Sequence, residues 1–246
     1  MQKQAKEENC DSVVLAFNRW IEKEQSLDSL QRVFIDKDLA HIREKECWST
    51  IEDSLKYIFF RKNKHVEFKE LGYELWLMGA EDQKFRTLSK YVYFPKLDDP
   101  EHSMFIEKQL EQTKEATQKV YALIKKYGWL NNELVGKEAA RACFYVIQYD
   151  APDIQEECLP YLKTAVEKGK ANPYHYAMMY DKMLFVRKGK QLYGTQIRRE
   201  LGAKKYNVIP IKNEKNVNKR RADLGLRPIE EDLYNKWGIV YKPSSK

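Results

Sequence analysis

The sequence predicts a mainly α-helical protein, a multi-helix globular bundle that carries one small β element. Only 10 glycines and 8 prolines occur in 246 residues, so few positions interrupt helices. Apolar residues recur at helical spacing, most clearly at Ala139, Ala140, Cys143, Phe144 and Ile147. Hydrophobic residues make up 43% of the chain and charged residues 33%, which is polar for a globular protein but too apolar for disorder.

The first third of the chain predicts three helices, near 11–24, 27–45 and 47–62. In the first of them, Val13 and Phe17 belong to an apolar face with helical spacing. The charged run 61–65 (RKNKH) then predicts a domain boundary. We therefore expect an N-terminal helical region, 1–65, and a second domain, 66–246.

The middle of the chain predicts longer helices. Two run near 67–92 and 103–127, with a proline-bounded loop at 95–100 between them. Gly128 is placed where a left-handed residue would end the second helix. Further helices are predicted to begin near Gly136, Pro152 and Pro173. Asn172 is expected to cap the last of them, because asparagine before proline is a common helix start.

Beyond Asp181 the pattern predicts a small antiparallel β-hairpin or a three-stranded β element near 184–211. Its strands are expected at 184–186, 192–197 and 208–211. Gly189 would supply the hairpin turn, and Pro210 would place the third strand at an edge, because proline cannot donate to a sheet. Two short helices are predicted to follow, near 215–224 and 229–237.

The cysteines and the N-terminal sequence bear on location. The first nine residues contain no hydrophobic segment typical of a signal peptide, and no apolar run reaches the ~20 residues needed to span a bilayer. These features predict a cytoplasmic protein without a membrane span; the alternative is an exported protein whose signal peptide has been removed. Cys10 and Cys47 flank the first helical segments and could pair in the exported case, although spacing alone does not establish a pairing. Cys143 and Cys158 fall on apolar stripes and are expected to be buried thiols.

Positive charge is concentrated in one segment. Between Lys182 and Arg221 there are 13 lysines and arginines against Glu200 and Glu214, a local net charge of +11 in a chain of net charge +7. Such a segment can bind nucleic acid by neutralising phosphates, or it can be a solvated surface that aids solubility. No recognised nucleic-acid motif accompanies it, so nucleic acid is a possible partner that no motif supports.

Three polar clusters are the candidates for a ligand-binding site. The candidate residues are Asp82, Gln83, Arg86, Gln148, Tyr149, Asp150, Asp181, Gln191, Tyr193, Thr195, Gln196, Arg220 and Arg221. Asp82 and Arg86 lie one helical turn apart and can pair. Gln191, Tyr193 and Thr195 would share one face of a strand. Each cluster also has a structural interpretation, as an ion pair, a helix cap or a packed hairpin.

Taken in order, these clusters resemble a bacterial family, domain of unknown function family 6624. The resemblance covers about 67–235, and its most specific motif, Gln-x-Tyr-Gly-Thr-Gln, is intact at 191–196. The other matching motifs are Asp82-Gln83-x-x-Arg86, Gly128-Trp129, Val135-Gly136, Gln148-Tyr149-Asp150, Leu159-Pro160, Tyr176-Ala177 with Asp181-Lys182, Val217 with Arg220-Arg221, and Gly225-Leu226-Arg227-Pro228. The family implies no established activity, and three positions depart from its pattern: Tyr149 replaces a histidine, Lys182 an arginine and Asn218 an acid.

Three functional hypotheses follow from the clusters. The first is a protein that binds a polar or anionic small molecule in a polar pocket, with Arg220 and Arg221 at its rim. The second is a hydrolase with Asp150 or Asp181 as general base. The third is a buried polar network that is purely structural. The sequence shows no phosphate-binding glycine loop, no serine-hydrolase elbow and no histidine or cysteine spacing typical of a metal site, so neither a cofactor nor a metal is predicted.

Overall fold

The computed structural model describes residues 10–24, 26–91, 100–198 and 206–242, without the side chains of residues 37, 82–106 and 108–109. The described residues are mainly helical and contain one two-stranded antiparallel sheet, which confirms the predicted fold class. No helix among them is long and apolar enough to cross a membrane.

The secondary structure follows the predicted order. The α-helices of the described residues are α1 (Cys10–Lys23), α2 (Leu27–Gln31), α3 (Cys47–Lys62), α4 (Lys69–Tyr91), α5 (Pro100–Tyr127), α6 (Asn132–Val135), α7 (Lys137–Gln148), α8 (Pro152–Glu167), α9 (Pro173–Lys188), α10 (Val217–Asp223) and α11 (Ile229–Trp237). Short 3₁₀ helices lie at Arg32–Phe34, Lys37–Leu39 and Glu214–Asn216. Strand β1 (Ile197–Arg198) pairs with β2 (Asn207–Val208), and Ile197 lies opposite Val208.

The predicted capping residues end or begin the helices as expected. The Asn172 side chain accepts a hydrogen bond from the Tyr174 amide at 2.9 Å, which satisfies one of the unpaired donors at the start of α9. Gly128 has φ 80° and donates its amide to the Ile124 carbonyl at the end of α5. The predicted loop at 95–100 lies almost entirely outside the described residues.

Three predicted segments were wrong in detail. Residues 184–186 are not a strand but the last turn of α9, and Gly189 is the left-handed residue that ends this helix, with φ 65°. Residues 192–196 form a loop that leads into β1. The predicted helix at 27–45 is broken, because α2 ends at Gln31 and only short 3₁₀ turns follow.

The chain divides into two compact units, Met1–Val120 with Leu130–Val146 and Tyr121–Trp129 with Ile147–Lys246. In the first unit, the fully buried Trp76 lies at the centre of an aromatic core. The ring centroids of Phe34, Phe59 and Tyr73 lie 5.8, 5.3 and 5.8 Å from that of Trp76. This core joins residues from the N-terminal segments to α4. The predicted division into an N-terminal region, 1–65, and a second domain, 66–246, stays a prediction.

In the second unit, α8 and α9 pack along each other, and a separate apolar cluster supports the sheet. The cluster centres on Val217, Ile229 and Leu233, which are almost completely buried. Ile197 of β1 and Val208 of β2 pack against it. The C-terminal helices therefore hold the short sheet in place, and with it the chain segment that precedes β1.

A disulfide joins Cys10 of α1 to Cys47 of α3, with the two Cα atoms 5.5 Å apart. Val13 and Phe17 on the same helix are completely buried. Cys143 and Cys158 are free, buried thiols, as predicted, and burial raises the pKa of each to about 12. The disulfide thus fixes the start of α1 to the rest of the first unit.

A double variant in which both Cys10 and Cys47 are replaced by serine is expected to have a free energy of unfolding about 2–4 kcal/mol lower, because it lacks the cross-link that restricts the unfolded chain. Urea denaturation with and without a reducing agent measures the effect. The double variant is the control, since a reductant should leave its midpoint unchanged. Equal midpoints for the oxidised and reduced wild-type protein would contradict the prediction.

Candidate functional site

The loop at 191–196, which carries the most specific motif, is anchored by a single buried carboxylate. One oxygen of Asp181 accepts hydrogen bonds from the amides of Leu192 and Tyr193, at 2.7 and 2.9 Å. The other oxygen accepts from both the amide and the hydroxyl of Thr195, each at 2.9 Å. Asp181 lies on α9 and is completely buried. Its carboxylate therefore fixes the backbone of the loop to that helix.

The environment of Asp181 does not suit a general base. Burial raises the pKa of Asp181, and hydrogen bonds from Thr195, Tyr193 and Leu192 oppose this shift. Each carboxylate oxygen already accepts two hydrogen bonds. A base must come within hydrogen-bond distance of the proton that it removes. The arrangement favours a supporting role for this carboxylate.

Gln191 closes the loop on itself. Its side-chain oxygen accepts from the Gln196 amide at 2.7 Å, and its side-chain nitrogen donates to the carbonyls of Gln196 and Ile209 at 2.9 and 2.7 Å. Its backbone also pairs with the Pro210 carbonyl and the Lys212 amide. Gln191 is completely buried, so its amide group replaces water as the partner of these backbone groups.

Arg220 supports the loop from α10. Its guanidinium donates twice to the Leu192 carbonyl, at 3.0 and 2.8 Å, and also to the carbonyls of Asn213 and Lys212. Burial lowers the pKa of Arg220, although Tyr193 and Asp181 oppose the shift. Such charge-assisted bonds are stronger than bonds between neutral groups. Arg220 thus binds a backbone carbonyl of the loop, while Asp181 binds the backbone amides of the same loop.

The binding hypothesis expected Arg221 at the rim of a pocket. In the structure, Arg221 is instead buried beneath the loop. It donates to the Tyr193 carbonyl at 2.7 Å, to the Arg227 carbonyl at 2.6 Å and to the Asp232 carboxylate at 2.8 Å. The side chains of Arg221 and Asp232 are only 1% and 6% exposed. Lys236 also pairs with Asp232, at 2.9 Å. A buried, paired guanidinium connects the loop to α11.

The Asp232 carboxylate provides a pH-dependent contribution to stability. Burial favours its neutral form, but hydrogen bonds from Lys236 and Arg221 outweigh burial and hold the pKa of Asp232 below its ordinary value. A group whose pKa is lower in the folded state stabilises the protein above its unfolded pKa, of about 4, and loses that effect as the pH falls through the folded pKa.

We therefore expect the stability difference between the wild-type protein and Asp232→Asn to be large near neutral pH and to shrink below about pH 4. Urea denaturation at a series of pH values measures the difference. Glu231→Gln, a change at a half-exposed carboxylate on the same helix, is the control and should show little effect at any pH. A difference for Asp232→Asn that does not change with pH would contradict the assignment.

The anchored loop presents the Tyr193 ring on a tyrosine cluster. The ring lies 6.3 Å from that of Tyr176 and 6.0 Å from that of Tyr180, both on α9. Burial raises the pKa of Tyr193 to about 12, so its hydroxyl stays protonated near neutral pH. Gly194 has φ 75°, and a Cβ atom there would overlap Ile229. Glycine is therefore required at this position of the motif, both for its left-handed backbone conformation and for the lack of space for a side chain.

The second polar cluster meets the loop at one backbone carbonyl. The side-chain amide of Gln148, at the end of α7, donates to the Met178 carbonyl at 3.4 Å. The side-chain amide of Gln196 donates to the same carbonyl at 3.2 Å. The Lys182 ammonium donates to the Gln148 carbonyl at 2.6 Å and lies 4.8 Å from the centre of the Tyr149 ring. The two motifs are thus adjacent in the second unit.

Gln155 is a further part of this arrangement. Its side-chain nitrogen donates to the carbonyls of Gln148 and Asp150 at 2.8 and 3.1 Å. The side-chain oxygens of Gln148 and Gln155 are buried and have no hydrogen-bond partner among the described residues. Asp150 accepts from the Ala151 amide at 2.6 Å, at the start of α8. Buried acceptors without partners are uncommon and are normally satisfied by water or a ligand.

The sequence prediction missed Gln155, Lys182 and the Met178 carbonyl. Gln155 carried a signal, since it is a polar residue on the buried face of α8, together with Cys158 and Leu162. Lys182 was noted only as a departure from the family pattern. A backbone carbonyl gives no signal in the sequence.

The remaining predictions lie partly outside the described residues. The backbone of Asp82, Gln83 and Arg86 belongs to α4, but their side chains are not among those described, so their role stays a prediction. Part of the basic segment, 199–205, is also outside them. No group of three or more histidine, cysteine or acidic side chains that could hold a metal ion occurs in the described part of the chain.

Comparison with known proteins places the chain in a family. A family model described as "Family of unknown function (DUF6624)" matches residues 69–238, and the chain therefore belongs to this family. No curated protein and no solved structure matches the chain. All the loop-supporting residues described above, and Gln148 and Gln155, fall within the matched range.

Proposed function

We propose that this family member binds a polar small molecule at the surface where the 191–196 loop meets the end of α7. The observation that carries the proposal is the convergence of Gln148 and Gln196 on the Met178 carbonyl. The Gln196 side-chain nitrogen already donates to the Met178 carbonyl and to the Thr195 hydroxyl, and that of Gln148 donates to the same carbonyl. The two side-chain oxygens are therefore the groups that can orient a ligand with hydrogen-bond donors.

The unpartnered oxygen of Gln148 supports binding in particular. It is buried and has no partner in the described part of the chain, and leaving such an acceptor unsatisfied costs about 1–3 kcal/mol. A hydrogen-bond donor that reaches this oxygen, from a ligand or from a water molecule held by the ligand, would recover this cost. Lys182 and the half-exposed Tyr149 ring form the neighbouring surface, so an ammonium and an aromatic face lie close to the amides.

The residues around the loop would act as its support. Asp181, Gln191, Arg220 and Arg221 hold both the amides and the carbonyls of the loop, which fixes Gln196 before any ligand arrives. A surface that is already ordered loses less conformational entropy on binding. The structural interpretation of the polar clusters thus applies to these four residues and is compatible with binding by their neighbours.

The hydrolase alternative has less support. The Asp181 carboxylate is buried and accepts four hydrogen bonds, and Asp150 accepts from the amide at the start of α8. An anionic ligand also has less support than a neutral one, because Arg220 and Arg221 bind carbonyls of the protein and, for Arg221, Asp232. Since Arg220 and Arg221 already bind groups of the protein, these two arginines of the basic segment are not free to bind phosphates, which weakens the nucleic-acid interpretation of that segment.

A screen of polar metabolites by thermal shift, followed by NMR titration of the hits, tests the proposal. A ligand of this site should lose at least about tenfold in affinity in Gln196→Ala and Tyr149→Ala, because each removes a direct contact. Tyr234→Ala, at a tyrosine that is 61% exposed on α11, is the matched control and should bind normally. Ligands that bind all three variants with the same affinity as the wild-type protein would contradict this location of the site.

We further infer that the protein works in an oxidising compartment, which is the exported alternative. The Cys10–Cys47 disulfide supports this inference, since reducing systems keep most cytosolic thiols free. Fractionation of cells that express the natural gene tests it. Recovery of the protein in the cytosol with four free thiols would contradict it.

A further inference from the structure

A groove of about 790 Å³ lies between α1 and α3 in the first unit, outside the range that the family model matches. The residues that line it include Ile21 and Glu22 on the α1 wall and Asp53, Tyr57, Ile58 and Arg61 on the α3 wall. Volumes of about 300–1,000 Å³ are typical of sites for small ligands. The groove is therefore large enough for a small organic molecule or a short peptide.

Three residues of α3 place two opposite charges on one wall of the groove. Asp53, Tyr57 and Arg61 are spaced four residues apart, so they follow one face of the helix. At 1.5 Å per residue, the acid and the base are separated by about 12 Å along the helix axis. Tyr57 lies between them and is 66% exposed. The α3 wall thus carries a carboxylate, an aromatic ring and a guanidinium in that order.

The two charged groups are available to a ligand. Neither Asp53 nor Arg61 forms a hydrogen bond or an ion pair with another residue among those described, and both are exposed. Ile58 is buried at the base of the groove, and Ile21 contributes a partly buried apolar surface. An apolar floor between opposite charges fits a molecule with charged ends and an uncharged body.

The disulfide keeps the two walls of the groove together. It joins the first residues of α1 and α3, and Phe17 of α1 is completely buried in the same unit. A groove whose walls are cross-linked keeps its width before a ligand arrives, and this lowers the entropic cost of binding.

We propose that this groove binds a short, extended peptide with free termini, with its ammonium at Asp53 and its carboxylate at Arg61. An extended chain advances about 3.4 Å per residue, so a span of about 12 Å corresponds to three or four residues. Glu22 on the opposite wall makes the groove net negative. The ammonium end therefore contributes more to binding than the carboxylate end.

Titration of trialanine into the full-length, ¹⁵N-labelled protein tests the proposal. Chemical shifts should move at the groove residues of α1 and α3, with weak, millimolar affinity because the charges are exposed. N-acetyl-trialanine amide, which has no terminal charges, should bind about tenfold more weakly, since it loses both ion pairs.

Two groove variants and two matched controls complete the experiment. Asp53→Asn and Arg61→Gln should each weaken trialanine about two- to fivefold, with the larger effect for Asp53→Asn. Asp11→Asn and Arg19→Gln change exposed charges of α1 that do not line the groove, and they should bind normally. Equal affinity for the free and blocked peptides, unchanged affinity in both groove variants, or no shifts at millimolar peptide would overturn the proposal.

Discussion

Asp181→Ala is expected to lower the free energy of unfolding by about 3–5 kcal/mol, because a buried network loses the acceptor at its centre. The amides of Leu192, Tyr193 and Thr195 and the Thr195 hydroxyl would lose their shared partner. Buried donors without acceptors pay the full cost of their lost hydration. Urea denaturation followed by tryptophan fluorescence measures the change.

The matched control for this variant is Asp153→Ala. The Asp153 side chain is 82% exposed and pairs only at the surface with Arg187, so its removal should cost within about 0.5 kcal/mol. Asp181→Asn should fall between the two, because an amide keeps one acceptor but turns an NH₂ group towards the donors of the loop. Similar stability for the alanine variants at 181 and 153 would show that the loop does not depend on Asp181.

Arg221→Met is the second change with a large expected effect, a loss of about 3–5 kcal/mol. Methionine fills much of the same volume but leaves the Tyr193 and Arg227 carbonyls without this donor. It also removes the buried partner of Asp232, which would keep only Lys236. Breaking one half of a buried ion pair is more costly than losing the pair as a unit.

A double-mutant cycle distinguishes this mechanism from simple loss of packing. If the Arg221–Asp232 pair carries the effect, Arg221→Met combined with Asp232→Asn should destabilise less than the sum of the two single changes. Arg227→Met is the control for the substitution itself, since the Arg227 side chain is 60% exposed. Strict additivity in the cycle would mean that the two buried residues act independently.

The sequence predicted most helices because their apolar faces and caps are local features. It failed at 184–186 for a physical reason. Asp181 lies on the buried face of α9, alongside Met179 and Met183, so a charged residue interrupts the apolar pattern at a point where the helix continues. The helix was therefore predicted to end there, and the apolar run after it resembled a strand.

The candidate site shows the same division between local and long-range information. The motif at 191–196 was recognised from its letters, but its role depends on partners that are distant in sequence, such as Asp181 and Arg221. Whether a charged side chain is buried and paired or lies at a pocket rim depends on this tertiary arrangement. The Cys10–Cys47 pairing is a further example, because spacing alone does not determine which cysteines meet.

Native-state hydrogen exchange, followed by NMR, tests most directly whether the polar motifs build a fixed loop. The amides of Leu192, Tyr193, Thr195 and Gln196 all bind side-chain acceptors of the protein. They should exchange as slowly as amides in the middle of α8 and α9, and the first three should become fast in Asp181→Asn. Exchange in the wild-type protein at the rate of exposed loop amides would contradict the account.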